Sequence, residues 1–147
     1  CALAASATST GAGSCDGPSG GHGPASESWA PALGATLGND GITAELTLGA
    51  GGGAAFKGWL LRSSAGEWEL ASGGSYRRTM RCGDGREAVT HASPGEKDLV
   101  VQRLALPAGG GGGGRAEVRA YVVRTRWDWS EASLALQWDG EAGAWRG

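Results

Sequence analysis

Three cysteines and two histidines are the residues with the most chemistry to offer: Cys1, Cys15, Cys82, His22 and His91. The cysteines form no C-x-x-C pair, and two histidines do not complete the spacing of a structural zinc site. Each histidine follows Cys15 or Cys82 by seven to nine residues. The two imidazoles could therefore approach each other and bind copper or zinc. The alternative, which we favour because no third ligand is evident, is that both hydrogen-bond to backbone and hold two loops together, with no metal and no cofactor.

A disulfide is the favoured use of the cysteines. Cys15 and Cys82 lie beside sequence that looks structured, and closing so long a loop would stabilise the fold by roughly 4 kcal/mol in the chain-entropy picture. Such a bond indicates an oxidising compartment. Cys1 would then lack a partner within the chain and would form an intermolecular disulfide or stay a reactive thiol. The alternative is three free, buried thiols in a reducing compartment.

Arginine and tryptophan are the candidates for ligand contact. Arg77, Arg78 and Arg81 lie close together, and arginine suits bidentate contact with sulfate or carboxylate. Trp127 and Trp129 could stack on sugar rings or on a partner protein. The alternatives are a solvated strand face, because Glu and Asp are interleaved, and core filling, which explains at least half of the seven Trp.

No catalytic constellation is evident in the sequence. Ser and Asp are plentiful, but they occur in no GxSxG elbow or similar motif. The Gly clusters at 51–53 and 109–114 and the Gly-Asp-Gly at 83–85 are followed by no predicted helix, as a phosphate-binding loop would require. We therefore predict turns at these places and a protein that is not an enzyme.

Composition limits the class of protein further. The length of 147 residues is that of one ordinary domain. A formal net charge of -2 gives no electrostatic basis for binding nucleic acid, and no apolar run approaches the ~18 residues of a membrane span. The 29 Gly and the lack of an apolar stripe at helical spacing favour β-sheet throughout.

Turn signals divide the chain into short runs typical of strands. Residues 1–14 are predicted to be an extended amino-terminal arm and 15–147 a single domain that begins with a Gly/Pro/Ser loop. The runs and their breaks indicate an antiparallel β-sandwich. We predict that Phe56, Trp59 and Leu61 share a strand that meets the core. The predicted strand runs are 42–48, 54–63, 67–72, 75–82, 87–93, 98–106, 115–129 and 132–138.

Side-chain alternation in the run 115–129 leaves one ambiguity. Val118, Ala120 and Val122 fall on one face by the period of two. Tyr121 and Val123 then lie on the outer face, or the strand bends there, as an edge strand would.

Several motifs occur in an order that points to a family. Cys15 is followed by Pro18 and His22, the run FKGWLL fills 56–61, and Cys82 precedes VTHAS at 89–93. In these features, over about residues 15–138, the chain resembles the Reeler domain family, the extracellular module at the start of reelin and F-spondin and, alone, in small insect defence proteins. The family usually has Trp where this chain has Leu104.

The resemblance implies an all-β, immunoglobulin-like antiparallel sandwich of about eight or nine strands. It also implies a disulfide between Cys15 and Cys82 and a secreted or cell-surface location. We therefore expect a non-catalytic extracellular binding or adhesion module, whose partners are other copies of itself, another extracellular protein, or acidic glycans. The alternative is a structural subunit of an extracellular filament or surface coat, assembled through the amino-terminal arm and sheet edges.

Overall fold

Ten β-strands make up most of the part of the chain that the computed structural model describes, residues 25–51, 54–69, 77–82, 86–91, 97–111, 113–125 and 128–147, with 77–80 described by backbone alone. A 3-10 turn at Ala108–Gly110 precedes the longest hairpin. No helix in the described part is long and apolar enough to cross a membrane. The strands are β1 (Ala32–Leu37), β2 (Thr43–Gly49), β3 (Gly58–Ser63), β4 (Glu67–Glu69), β5 (Arg77–Arg81), β6 (Glu87–His91), β7 (Val100–Ala105), β8 (Arg115–Thr125), β9 (Asp128–Asp139) and β10 (Ala144–Arg146).

The strands form two antiparallel sheets. The four-stranded sheet has the order β1-β2-β7-β4, and the six-stranded sheet has the order β10-β9-β8-β3-β6-β5. This architecture confirms the predicted all-β sandwich. Two strands, β1 and β10, lie outside the predicted runs. The predicted amino-terminal arm, residues 1–14, lies outside the described residues.

An apolar cluster between the sheets forms the main core, which we call the inner cluster. Phe56, Trp59 and Leu61 belong to it, as predicted. The prediction that the three share one strand was wrong, because Phe56 precedes β3 and forms an isolated bridge with Lys97. Leu104 is fully enclosed where the resembled family usually has Trp. Alternation supplies the residues: in β2 the buried side chains are Ala44, Leu46 and Leu48, and the half-buried ones between them face outward. Burial of alternate side chains from both sheets is what holds the sandwich together.

A second cluster lies on the opposite face of the six-stranded sheet. It contains Leu60, Cys82, Ala88, Tyr121 and Val123, and we call it the outer cluster. The suggestion that the strand is an edge near Tyr121 was wrong, because β8 pairs with β3 on one side and with β9 on the other. Tyr121 and Val123 do lie on the outer face, but they are buried there.

The predicted run 115–129 contains two strands. β8 ends at Thr125 and β9 begins at Asp128, with a register irregularity where the two strands meet. Trp129 therefore pairs opposite Val123 on the following strand of the hairpin. Apolar and polar residues alternate on both sides of the turn, so the period of two gave no sign of the reversal.

The turn between β1 and β2 joins the two sheets at one end of the sandwich. Asp40 accepts hydrogen bonds from the backbone N–H of Ile42 (3.1 Å) and of Thr43 (3.0 Å), and one from the Thr43 hydroxyl (2.7 Å). Gly41 has φ +74°, and its carbonyl accepts from the N–H of Trp145 in β10 (2.8 Å). A Cβ at position 41 would lie 2.7 Å from the Ala144 Cβ, so only glycine fits there.

Candidate binding surface

A polar groove of about 400 Å³ contains one of the predicted contact residues, Arg81. Arg86 is held inside this groove, because its Nε donates to the Ser63 carbonyl (3.0 Å) and its guanidinium also donates to the Gly66 carbonyl. Arg86 thereby fixes the turn between β3 and β4. The groove is lined by Gly66, Glu67, Trp68, Arg81, Arg86 and Glu87.

The charges of the groove cancel. Arg81 is 71% exposed and lies 4.0 Å from the carboxylate of Glu87, a surface ion pair that contributes little to stability. Two Arg and two Glu line the same groove. The groove therefore offers polar contacts beside an aromatic ring and no excess positive charge.

Arg77 and Arg78 lie in β5, at the end of the six-stranded sheet. Their backbones pair opposite His91 and Thr90 of β6. Their side chains are outside the described part of the structure, so their predicted contact with glycans or a partner stays a prediction.

His91 has a structural role in the sheet. It is buried, and its Nδ1 accepts the N–H of Trp59 at 3.3 Å, while the Thr90 hydroxyl donates to the Trp59 carbonyl at 2.6 Å. These bonds join β6 to β3 just beyond the point where their pairing ends. His22 lies outside the described residues. Within the described part, no three His, Cys, Asp or Glu side chains are grouped as metal ligands would be.

Cys82 is buried in the outer cluster and is disulfide-bonded. Its partner lies outside the described residues, as do Cys1 and Cys15. The pairing of Cys15 with Cys82 and the fate of Cys1 therefore stay predictions.

Trp129 packs against the outer cluster. Its ring centroid lies 6.3 Å from that of Tyr121, in a tilted arrangement. Packing thus uses part of the ring that we predicted as a contact for sugars or a partner. Trp127 lies outside the described residues, and a contact role for either residue is untested.

A contact that the sequence did not reveal centres on Trp29. Its Nε1 donates to the Asp128 carboxylate at 2.6 Å, and the Arg124 guanidinium lies 4.9 Å from the ring centroid, a cation–π contact. Arg124 also pairs with Asp128 at 3.7 Å. These residues lie about a hundred positions apart in the chain, so no local pattern could have predicted the contact.

The same segment covers the start of β9. The Ser26 N–H donates to the Trp129 carbonyl (2.7 Å), and the Ser130 hydroxyl donates to the Trp29 carbonyl (2.9 Å). The backbone of β9 is therefore occupied at this end, on the side that faces away from β8.

Among the described residues, no strand pairs with β1 on the side that faces away from β2, and we call this side the open edge of β1. The Gly38 N–H donates to the Thr43 carbonyl (2.8 Å), which fixes which residues of the β1–β2 ladder exchange hydrogen bonds. In an antiparallel ladder, directly opposite residues alternate between hydrogen-bonded and non-hydrogen-bonded pairs. Leu33, Ala35 and Leu37 are thus the non-bonded positions, with N–H and C=O groups that point away from β2.

A second, shorter open edge lies on β9. The Trp138 N–H donates to the carbonyl of Gly114, the residue before β8 (2.8 Å), so the even-numbered residues of β9 are the ones bonded toward β8. The odd-numbered residues of β9 therefore direct their backbone groups away from β8. β10 pairs with Gln137–Asp139. The backbone groups of Glu131, Ser133 and Ala135 remain without a strand partner in the described part. β1 and β9 contact each other across the sandwich, so both open edges lie on one side of it.

Comparison with known proteins identifies the fold. No family model matches the chain, and no curated protein matches it in sequence. Among solved structures, the chain is similar to the Reelin-N domain of F-spondin, with 18% identity and a TM-score of 0.57 over 77% of this chain and 91% of that one. It is also similar to two structures of the human F-spondin reeler domain: one at 18% identity and TM-score 0.56, over 78% of this chain and 94% of that one, the other at 17% and 0.51, over 71% and 90%. The chain has the fold of a reeler domain.

Proposed function

We propose that this protein is a non-catalytic binding or adhesion module that acts outside the cell. Its reeler-domain fold supports this proposal, since the family that the sequence resembles consists of extracellular modules. The disulfide at Cys82 also supports it, because structural disulfides persist in oxidising compartments.

The open edge of β1 carries the proposal. A strand with a row of outward N–H and C=O groups can accept an extended segment as a further strand, and the main-chain hydrogen bonds then supply affinity. β1 offers Leu33, Ala35 and Leu37 for this purpose along its whole paired length. The principal partner is therefore a protein that presents an extended segment.

Acidic glycans are a weaker partner. Arg81 is exposed and the ring of Trp68 lies at the same groove, but Glu67 and Glu87 oppose the positive charge. Charge attraction of exposed groups is screened beyond about 8 Å at physiological ionic strength. Contact of glycans with the arginines is therefore weak and salt-sensitive.

Retention on extracellular matrix tests the proposed function. The intact chain, diluted until it is monomeric so that the edge of β1 is free of a second copy, is passed over matrix laid down by cultured cells and over a surface coated with serum albumin. We expect retention on the matrix alone, and Ala35→Pro, which removes one outward N–H of β1, should reduce it. Equal retention on both surfaces would contradict a binding role.

A structural subunit of an extracellular filament or coat is the second candidate, and the pair of open edges favours it. If β1 of one copy paired with the open part of β9 of the next copy, the contact would be head-to-tail, and it would build a filament where the rotation between copies does not close a ring. Mass that keeps growing with protein concentration would identify this function.

A further inference from the structure

We propose that β1 pairs in antiparallel fashion with β1 of a second copy of this chain, about a two-fold axis at Ala35. The inference rests on the proposed binding function and names the partner and the register. It starts from the direction of the backbone groups of β1. The backbone N–H and C=O groups of Leu33, Ala35 and Leu37 point away from β2. These groups make no backbone hydrogen bond to the described parts of the chain.

The direction of these groups is supported from the other side of β2. The Leu106 N–H donates to the carbonyl of Ile42 at 2.7 Å, which makes the even-numbered residues of β2 the ones bonded to β7. The odd-numbered residues of β2 are then bonded to β1, in agreement with the bond from Gly38 to Thr43. The bonds on both sides of β2 thus give the same alternation.

Only some registers keep the faces of the new sheet consistent. Directly opposite residues of an antiparallel pair share a face, and the side chains of Leu33, Ala35 and Leu37 pack against the inner cluster. With the axis at Ala35, Leu33 lies opposite Leu37 of the second copy, so the interior face continues from one copy to the next. A slip of one residue would place an interior Leu opposite an outward position, Thr36 or Ala32 in one direction and Gly34 in the other.

The same register satisfies the hydrogen bonds. Ala35 pairs with its own counterpart, and Leu33 pairs with Leu37 in both directions. These are the residues whose backbone groups point outward, so every pairing exchanges two backbone hydrogen bonds. The two four-stranded sheets would then become one continuous sheet, with the open edge of each copy closed by the other.

Charge distinguishes β1 from β4 and β5, the terminal strands on the other side of the sandwich. β1 has the sequence ALGATL, without an ionisable residue. The same symmetric pairing of β5 about Thr79 would place Arg77 opposite Arg81, and that of β4 would place Glu67 opposite Glu69. Like charges directly opposite each other destabilise an antiparallel pair.

The open part of β9 is a poorer site because it is confined. Ser26 bonds to Trp129 before it, and β10 pairs with Gln137–Asp139 after it. An incoming strand would contact the Ser26 segment at one end of this open part and β10 at the other. β1 thus provides the longer edge that a second copy can reach.

Sedimentation velocity over a concentration series tests the proposal. All variants carry Cys1→Ser, so that a disulfide through Cys1 cannot link two chains. We expect the measured mass of the parent protein to rise from that of one chain to twice that value as the protein concentration increases. Ala35→Pro removes the N–H at the axis and leaves the β1–β2 ladder intact, and we expect it to weaken association by about tenfold or more.

The matched control is Ala135→Pro, which makes the same change on the open part of β9 and should dimerise as the parent does. If Ala35→Pro fails to fold, Thr36→Lys replaces it, because the Thr36 side chain is exposed and a lysine there puts two like charges beside the axis.

Four results would overturn the proposal: a single-chain mass at every concentration, a dimer unaffected by the β1 variant, dissociation by Ala135→Pro alone, or growth beyond twice the mass. Matrix retention is measured separately. A chain that stays single but is retained on matrix would disprove the self-pairing and leave the proposed function standing.

Discussion

The two sides of the sandwich end in strands of contrasting chemistry. On one side, β4 is three residues long with Glu at both ends, and three of the five residues of β5 are Arg. On the other side, β1 has six residues without charge. There the three-residue β10 covers only Gln137–Asp139, and the middle of β9 has one Glu among its outward-bonding positions. Short and charged terminal strands are the usual protection of sheet edges against unwanted pairing. The sandwich thus protects one side and leaves the other available, which is what a module that binds through an edge requires.

Removing part of the inner cluster should weaken both sides together. Phe56 is fully enclosed, and the backbone N–H and carbonyl of Phe56 both bond to Lys97 (2.7 Å). Phe56→Ala should therefore lower the free energy of unfolding by about 3 to 5 kcal/mol, measured by urea denaturation. Leu99→Ala is the control, since Leu99 is 59% exposed and its truncation should change stability by less than about 0.5 kcal/mol. A loss below about 1 kcal/mol for Phe56→Ala would contradict the core assignment.

Weakening the contact between Trp29 and Asp128 should expose more of the β9 backbone on the side where β1 and β9 lie. Trp29→Phe keeps an aromatic ring at this position but removes the N–H that donates to Asp128. The loss of this partly buried hydrogen bond to a carboxylate should lower the free energy of unfolding by about 1 to 2 kcal/mol. The amide of Ser26, bonded to Trp129, should then exchange faster with deuterium.

Trp68→Phe is the matched control on the protected side, because Trp68 makes no such bond to the described residues. Equal stability of the two variants, with unchanged exchange at Ser26, would show that the Trp29 contact does not hold the start of β9.

Acid should weaken the turns that flank the open side. Hydrogen bonds from Thr43 and Ile42 lower the pKa of Asp40, and those from Ala142 and Glu141, with Arg146 nearby, lower the pKa of Asp139. A carboxyl whose pKa is lower in the folded state stabilises the fold above its ordinary pKa of about 3.8, and this contribution is lost as pH falls through the lowered value.

The midpoint of thermal unfolding should accordingly fall less steeply below pH 4 in Asp40→Asn than in the parent protein. Since Asp40 is exposed, we expect a small difference. Parallel curves for the two proteins would contradict a role for ionised Asp40 in holding the turn before β2.

The smallest effect is expected on the charged side, where glycan binding would occur. Changing Arg77, Arg78 and Arg81 together to Ser should slightly reduce retention on heparin at low salt, and retention of the parent should vanish as salt is raised. Arg103→Ser is the control, since Arg103 lies on the other sheet near Glu45. Retention at high salt that the triple change does not diminish would show that these arginines are not the contact.

Most of the sandwich was predictable because its central strands alternate regularly. β2 and β7 show the period of two directly, with Leu46 and Leu104 on the buried face. The turn signals between strands gave the antiparallel arrangement. These features follow from local sequence, so the sequence indicates them without knowledge of the tertiary fold.

The strands that the sequence did not predict are the ones that matter most on the open side. β1 contains Gly, two Ala and a single β-branched residue, and its two interior Leu are too few to show a period. β10 is three residues long and is held by the bond from Trp145 to Gly41. Both strands form because tertiary packing supplies what local propensity lacks.

The candidate binding surface was only partly predictable. Arg81 could be singled out from the sequence. The cancellation of its charge by Glu67 and Glu87 could not, because it depends on strands that are brought together only by the tertiary fold. The open edge could not be located, because which side of a strand lacks a partner is decided by sheet order.

Amide hydrogen exchange in β1, followed residue by residue by NMR, tests the central claim most directly. The amides of Gly34 and Thr36 bond to β2, so they should be protected at every protein concentration. The amides of Leu33, Ala35 and Leu37 should exchange rapidly in dilute solution and become protected as concentration rises. Rapid exchange of these three amides at all concentrations, or protection that does not depend on concentration, would contradict the pairing of β1 with a second copy.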